Sequence, residues 1–113
     1  MADGHRVRVR MYRQGLGDCF LVTLPRDDKP PFRMLIDCGL FLGSRNQDET
    51  MRKVVADVAA DCGGKLDLLV ATHEHWDHLS GFVQAQAEFT AIEVGETWLG
   101  WTENRDDPKV RDL

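Results

Sequence analysis

The sequence has no long apolar run and few cysteines. None of its apolar stretches approaches the roughly 18 residues that a membrane-spanning helix needs, and its beginning, MADGHRVRVRMYR, lacks the apolar segment of a secretion signal. The three cysteines are an odd number, which fits a reducing compartment better than a set of disulfides. We therefore expect a cytoplasmic protein with no membrane partner.

Low-complexity tracts and internal repeats are also absent, and the chain is short. Its 113 residues allow one small domain with a core, and its 42% hydrophobic and 29% charged residues are close to globular averages. The net charge of −5 gives no general attraction to nucleic acid. Arg6, Arg8 and Arg10 alternate with apolar residues, which predicts a strand with one basic face. We interpret that face as solvent-exposed rather than as a phosphate-binding track.

Alternating and continuous apolar segments predict a mixed α/β fold. The predicted strands are Arg6 to Arg13, Cys19 to Leu24, Phe32 to Asp37, Leu66 to Ala71 and a short one around Glu96 to Trp101. The second and third strands are expected to form an antiparallel hairpin, with Cys19 opposite Cys38 and both as buried free thiols.

Helical spacing predicts two helices. The first is expected from about Gln47 to Cys62, begun by a capping box of Asn46 and Glu49, and the second starts near Asp77 or His78 and extends to Phe89. Two helices can cover only one face of a sheet, yet the second and fourth strands are apolar on both faces. We therefore expect a bare apolar face, covered by a second chain or by the other half of a larger sandwich.

The segment ATHEHWDHLSG, Ala71 to Gly81, contains three of the four histidines of the chain. In an extended segment His73 and His75 project to the same side and can bind one ion, while a turn into a helix lets Asp77 and His78 face a second ion. Burying these groups without a metal would leave several polar atoms without partners. Imidazole and carboxylate ligands permit zinc, iron or manganese, so the segment predicts a metal site.

This segment resembles the signature of the metallo-β-lactamase-fold superfamily, His-x-His-x-Asp-His, which is matched by His73, His75, Asp77 and His78. Thr72 and Gly81 fit the small hydroxyl residue before that signature and the glycine after it. LIDCG, with Asp37, is similar to an earlier family motif whose aspartate supports the metal loop without ligating the metal. GLGDCFLVTLP, with Gly17 and Asp18, is similar to an element of bacterial DNA-uptake competence proteins. The resemblance thus implies supporting roles for Asp18, Asp37 and Thr72.

The resemblance implies an αββα metallo-β-lactamase sandwich, of which this chain supplies the N-terminal half. Residues 1–102 are expected to form that half, a mixed sheet with two helices, and residues 103–113 a polar tail or linker. The later family motifs supply two more histidines and a bridging aspartate, but no histidine follows His78. The implied partner is a C-terminal half or a complementing chain. If the site were instead complete, the remaining ligands would have to come from Glu103, Asp106, Asp107 and Asp112.

For a complete site, the resemblance implies hydrolysis by a metal-bound hydroxide. Two Zn2+ ions, with Mn2+ or Fe2+ as alternatives, lower the pKa of the bound water, and Asp77 both ligates a metal and orients the attacking water. The favoured function is a phosphodiesterase or nuclease acting on an anionic substrate such as nucleic acid. A thioesterase or lactonase stays open, as does a non-catalytic module that pairs with another chain. This chain alone is expected to be inactive.

Overall fold

The computed structural model describes residues 6–13, 17–39, 46–72 and 76–99, without the side chains of residues 76–79. In that part of the chain it has five strands, β1 (Arg8–Met11), β2 (Cys19–Leu24), β3 (Phe32–Cys38), β4 (Lys65–Ala71) and β5 (Glu93–Leu99). It also has three helices, α1 (Gln47–Asp61), α2 (Trp76–Gln84) and α3 (Gln86–Phe89). The expected α/β class is therefore present, and no described helix is long and apolar enough to span a membrane.

The strands form one mixed sheet in the order β1-β2-β3-β4-β5. The first three strands pair antiparallel, whereas β3 pairs parallel with β4 and β4 pairs parallel with β5. Cys19 lies opposite Cys38, both are buried, and both are free thiols. The predicted hairpin and its cysteine register are confirmed.

The helices differ from the sequence-based expectations at two places. Asn46 adopts the left-handed conformation (φ 51°) and its side chain makes no capping hydrogen bond, so the predicted capping box is wrong. Such a bond requires the extended backbone that an N-cap residue normally has. The helix expected to continue to Phe89 is divided at Ala85 into α2 and α3, because the buried Ala85 (φ −119°) leaves the helical conformation.

The core lies between the helices and one face of the sheet. Leu21 and Leu35 of the central strands pack with α1 residues such as Met51, Val55 and Val58, all of them almost completely buried. These α1 positions recur at helical spacing, so one stripe of the helix faces the sheet. Packing in this core holds α1 against the sheet.

Strand β1 turns its basic face toward α1. Arg8 and Arg10 form ion pairs with Asp61 at 3.0 and 3.2 Å, Arg10 also pairs with Asp57 at 2.6 Å, and the Tyr12 hydroxyl donates to Asp57 at 2.7 Å. Burial and the hydrogen bond to Asp57 raise the pKa of Tyr12, so the hydroxyl stays a neutral donor. The expected solvent-exposed basic face is confirmed for Arg8, whose side chain is 58% exposed, whereas Arg10 is half-buried. The ion pairs of both arginines with carboxylates of the helix were not expected.

The opposite face of the sheet is apolar apart from Glu96 on β5. Strand register places on it Val9, Met11, Phe20, Val22, Met34, Ile36, Leu68, Val70 and Trp98. Glu96 lies opposite Leu68 and accepts a hydrogen bond from Trp98 Nε1 at 3.0 Å. The described helices pack on the other face. Val9, Met11 and Trp98 on the outer strands are 61%, 63% and 55% exposed, whereas their neighbours on the inner strands are half-buried or buried. The side of the sheet away from the described helices is mostly apolar, as expected. On the inner strands, where bare side chains were expected, the described apolar residues are half-buried or buried, and the exposed ones lie on the outer strands.

Candidate metal centre

One edge of the sheet brings together three residues that the sequence assigned to the site. Since β3 and β4 are parallel, their carboxyl ends, at Asp37 and Thr72, lie at the same edge. Strand β2 is antiparallel to β3, so its amino end and Asp18 lie there too, and the Gly39 amide donates to the Asp18 carbonyl at 3.0 Å. Thr72 is the last described residue before α2.

Asp37 occupies a β-bulge. Cys19 pairs with Cys38 but the next residue, Phe20, pairs with Ile36, so Asp37 is the additional residue on β3. Its backbone is left-handed (φ 58°), a conformation that aspartate tolerates better than most residues. Bulges redirect side chains, and here Asp37 and Cys38 are both buried although they are consecutive in a strand.

The carboxylate of Asp37 binds the residue before the histidine segment. The Thr72 amide donates to Oδ1 at 2.8 Å and the Thr72 hydroxyl donates to Oδ2 at 2.5 Å. Asp37 is only 2% exposed whereas Thr72 is exposed, so the bonds join a buried carboxylate to donors that lie near solvent. This is the contact expected of Asp37 and Thr72, and their role toward a metal stays a prediction.

Gly81 fixes the helix that follows the histidine segment. A Cβ at this position would lie 2.4 Å from Sγ and 2.8 Å from the carbonyl oxygen of Cys38, and 3.1 Å from Sδ of Met51. Only glycine permits so close an approach of α2 to the end of β3. The two consecutive bulge residues therefore contact both sides of residues 73–75: Asp37 binds Thr72 before them, and Cys38 packs against Gly81 after them.

Asp18 borders a pocket at the same edge. The pocket has a volume of about 300 Å³ and is lined by Tyr12, Gly17, Asp18 and Cys19 among others. Asp18 is half-buried, and its supporting role toward the metal loop stays a prediction.

The predicted metal ligands lie outside the residues whose side chains are described. His73 and His75 fall in the segment 73–75, and Asp77 and His78 belong to the first turn of α2, where only the backbone is described. The alternative ligands Glu103, Asp106, Asp107 and Asp112 also lie outside the described part. Among described residues no group of three or more histidine, cysteine or acidic side chains is arranged to hold a metal. The predicted metal site therefore stays a prediction.

Sequence reasoning missed the bulge and the close contact of α2. A hydrophobic strand ending in Asp37 gives no sign of an additional residue, because the shift appears only in the pairing with β2. Gly81 has a clearer signal, since a glycine inside an apolar helical segment often marks a close approach.

Comparison with models of known protein families, with curated proteins and with solved structures found no match for this chain. The described fold is α/β with a mixed five-stranded sheet. That this fold is of the metallo-β-lactamase type stays a prediction from the sequence motif.

Proposed function

We propose that this chain is the N-terminal half of a metal-dependent hydrolase of the metallo-β-lactamase type. The observation that carries the proposal is the support of the histidine segment from one β-bulge. Asp37 binds Thr72 through two hydrogen bonds, and Cys38 contacts Gly81 of α2. A buried carboxylate on a residue with left-handed backbone, hydrogen-bonded to a neighbouring loop, is typical of the groups that orient metal ligands.

The proposed ligands are His73 and His75 for one zinc ion, and Asp77 and His78 for a second. Three imidazoles and a carboxylate are donors that zinc accepts, with Mn2+ or Fe2+ as alternatives. When bound, the ions would supply an acidified water and positive charge opposite an anionic substrate. Asp77 would orient that water and accept its proton, and Asp37 would hold Thr72 so that the segment enters the site at a fixed angle.

A phosphodiester, as in nucleic acid, is the proposed substrate class. The support is the similarity of GLGDCFLVTLP, which includes Asp18, to competence proteins. Asp18 lies at the same sheet edge as Asp37, with its carbonyl hydrogen-bonded to Gly39. Thioesters and lactones are the alternative substrates.

The apolar sheet face supports the second part of the proposal, that another polypeptide segment completes the site. Contiguous apolar patches larger than a few hundred Å² are uncommon on soluble monomers. Val9, Met11 and Trp98 are more than half exposed on a face that continues across five strands. The same face also favours a second candidate function, a non-catalytic module that pairs with another chain through this surface.

Zinc titration calorimetry of the chain and of single variants tests the metal site. His73→Ala, His75→Ala and His78→Ala are each expected to weaken zinc binding at least tenfold. Glu74→Gln, in the same segment but outside the motif, and His5→Ala, the remaining histidine, are matched controls that should bind zinc as the unaltered chain does. Absence of zinc binding, or equal losses in the controls, would contradict the metal site.

Hydrolysis assays separate the two candidate functions. A phosphodiester, a thioester and a lactone are offered to the zinc-loaded chain. The isolated chain is expected to turn over none of them appreciably, and addition of a complementing segment should produce phosphodiester hydrolysis first. Efficient turnover by a monodisperse monomer would refute the half-site proposal, and zinc binding without turnover in any complex would favour the non-catalytic module.

A further inference from the structure

Cys19 and Cys38 form a thiol pair across β2 and β3. They are directly opposite each other, and the Gly39 amide donates to the Asp18 carbonyl one residue beyond each cysteine. Because the backbone hydrogen bond lies beside the two cysteines and not between them, they are a non-hydrogen-bonded pair of the antiparallel ladder. In such a pair the Cα atoms lie about 4.5 Å apart. Disulfides accept Cα separations of about 4.4–6.8 Å, so the backbone already permits a bond here.

The two side chains are cross-strand neighbours on the same side of the sheet. Both residues are at most 1% exposed. The third cysteine, Cys62, lies at the end of α1, where its thiol donates to the Ala59 carbonyl at 3.7 Å. Only one pair of the three cysteines is therefore placed for bond formation.

A pocket borders one residue of this pair. Cys19 lines the pocket of about 300 Å³ at the sheet edge, beside Gly17 and Asp18. A molecule slightly larger than water fits such a volume many times, since one water occupies about 30 Å³ in the liquid. Hydrogen peroxide is of that size.

We propose that Cys19 and Cys38 are an oxidation site at which hydrogen peroxide closes a disulfide between β2 and β3. The sulfur of Cys19, after losing its proton, attacks one peroxide oxygen. The O–O bond breaks, a sulfenic acid forms, and the leaving hydroxide takes up the proton as water. The thiol of Cys38 then loses its proton, and its sulfur attacks the sulfenic sulfur. The S–O bond breaks, and the leaving hydroxide takes up that proton as a second water. Two thiols lose two electrons, and one peroxide becomes two waters.

The reaction is slow. Contact with Cys38 and burial raise the pKa of Cys19, and the thiolate is the reactive form. Slow oxidation suits a pair that responds to sustained peroxide exposure rather than to brief pulses. The product is protected from larger thiols by the same burial.

The disulfide fixes the bulge that supports the histidine segment. Cys38 follows Asp37 directly and contacts Gly81, so a covalent bond to Cys19 restrains both contacts. Opening of the Gly39–Asp18 hydrogen bond requires β2 and β3 to separate beside the new bond. Exchange of the Gly39 amide with solvent is therefore expected to slow about tenfold on oxidation.

Peptide mapping of the full chain after peroxide treatment tests the proposal. Remaining thiols are alkylated in denaturant, and the chain is cut with trypsin, which puts Cys19 in the peptide 14–26, Cys38 in the peptide 34–45 and Cys62 in the peptide 54–65. The expected product links the first two peptides, with two hydrogens fewer than their sum. Dithiothreitol should restore both free peptides, since disulfides are reversible and sulfinic acids are not.

Two variants and one exchange measurement complete the test. Cys62→Ala, which removes the buried cysteine outside the pair, should leave the linked product unchanged, and Cys38→Ala should abolish it. If Cys38→Ala fails to fold, the peptide map of the unaltered chain still tests the proposal. The proposal would be overturned if Cys19 and Cys38 were alkylated as completely as Cys62, or if the links included Cys62. Irreversible oxidation without a link would also overturn it, as would unchanged exchange of the Gly39 amide in the linked chain.

Discussion

Replacement of Asp37 by alanine is expected to weaken zinc binding without removing a ligand. The carboxylate is 2% exposed and accepts two hydrogen bonds from Thr72, which precedes the histidine segment. Without it, Thr72 can turn toward water and the segment loses its fixed starting point. Loss of such a supporting group typically costs about 10–100-fold in metal affinity.

The expected cost in stability can be worked from the same contacts. A hydrogen bond to a charged group contributes about 1.5–3 kcal/mol, but Thr72 is exposed and its donors find water after the change, so the two bonds together are taken at about 2 kcal/mol. Alanine in the left-handed conformation of residue 37 (φ 58°) adds about 1 kcal/mol. The free energy of unfolding of Asp37→Ala should therefore fall by about 3 kcal/mol.

Two conservative variants separate the contributions of the Asp37 charge, the left-handed backbone and the Thr72 hydroxyl to stability. Asp37→Asn keeps the tolerance for a left-handed backbone and one acceptor, so it should lose about 1 kcal/mol and fold where alanine does not. Thr72→Val removes the hydroxyl donor but keeps the amide, and should also lose about 1 kcal/mol. Urea unfolding of the metal-free chain measures the stability, and calorimetric zinc titration of the folded fraction measures affinity and stoichiometry.

The stoichiometry of zinc decides the interpretation. An unchanged number of ions at reduced affinity is the expected result for Asp37→Ala and Asp37→Asn. Loss of one ion would make Asp37 a direct ligand. Unchanged affinity at reduced stability would make the Asp37–Thr72 contact purely structural.

Two further substitutions test the helix contact and the apolar face. Gly81→Ala should lower the free energy of unfolding, measured in urea, by about 1–3 kcal/mol, because its Cβ would lie 2.4 Å from Sγ of Cys38. The control Val83→Ala, at an exposed position of the same helix, should change it by less than about 0.5 kcal/mol. Equal stability of the two variants would contradict the close approach. Met11→Lys, on the apolar face, should reduce self-association in sedimentation velocity, while Ala56→Lys on the exposed side of α1 should not. Association unaffected by Met11→Lys would show that another surface carries it.

The order of the strands and helices was predictable because the spacing of apolar residues in the sequence indicates each of them. Helix α1 was expected to end near Cys62, and the structure ends it at Asp61, followed by Gly63 and Gly64 with positive φ angles of 66° and 80°. The hairpin register followed from the turn between β2 and β3. Such features depend on residues close in sequence, which a single sequence contains.

The features that the sequence did not predict depend on contacts between distant residues. Alternating arginines predicted a basic face on β1 but not its ion pairs, which Asp57 and Asp61 on α1 supply. The break at Ala85 has no propensity signal, since its neighbours are good helix formers. Residues seven apart in a continuous helix are separated by about 10 Å along its axis, yet the rings of Phe82 and Phe89 lie 4.8 Å apart. Packing of these rings accompanies the break, and no local pattern predicts it.

The bulge on β3 connects these observations to the proposed chemistry. In a regular strand Asp37 and Cys38 would point to opposite faces of the sheet, and only one of them could reach the helix side. The additional residue in the bulge lets both be buried, so that Asp37 accepts from Thr72 while Cys38 meets Gly81. Any movement of the bulge must therefore change both contacts that flank residues 73–75. Thr72 and Gly81, which flank the histidine segment in sequence, are thus held by one short irregularity rather than by two independent supports. This is why substitution at Asp37, substitution at Gly81 and oxidation of Cys38 are all expected to act on the same proposed site.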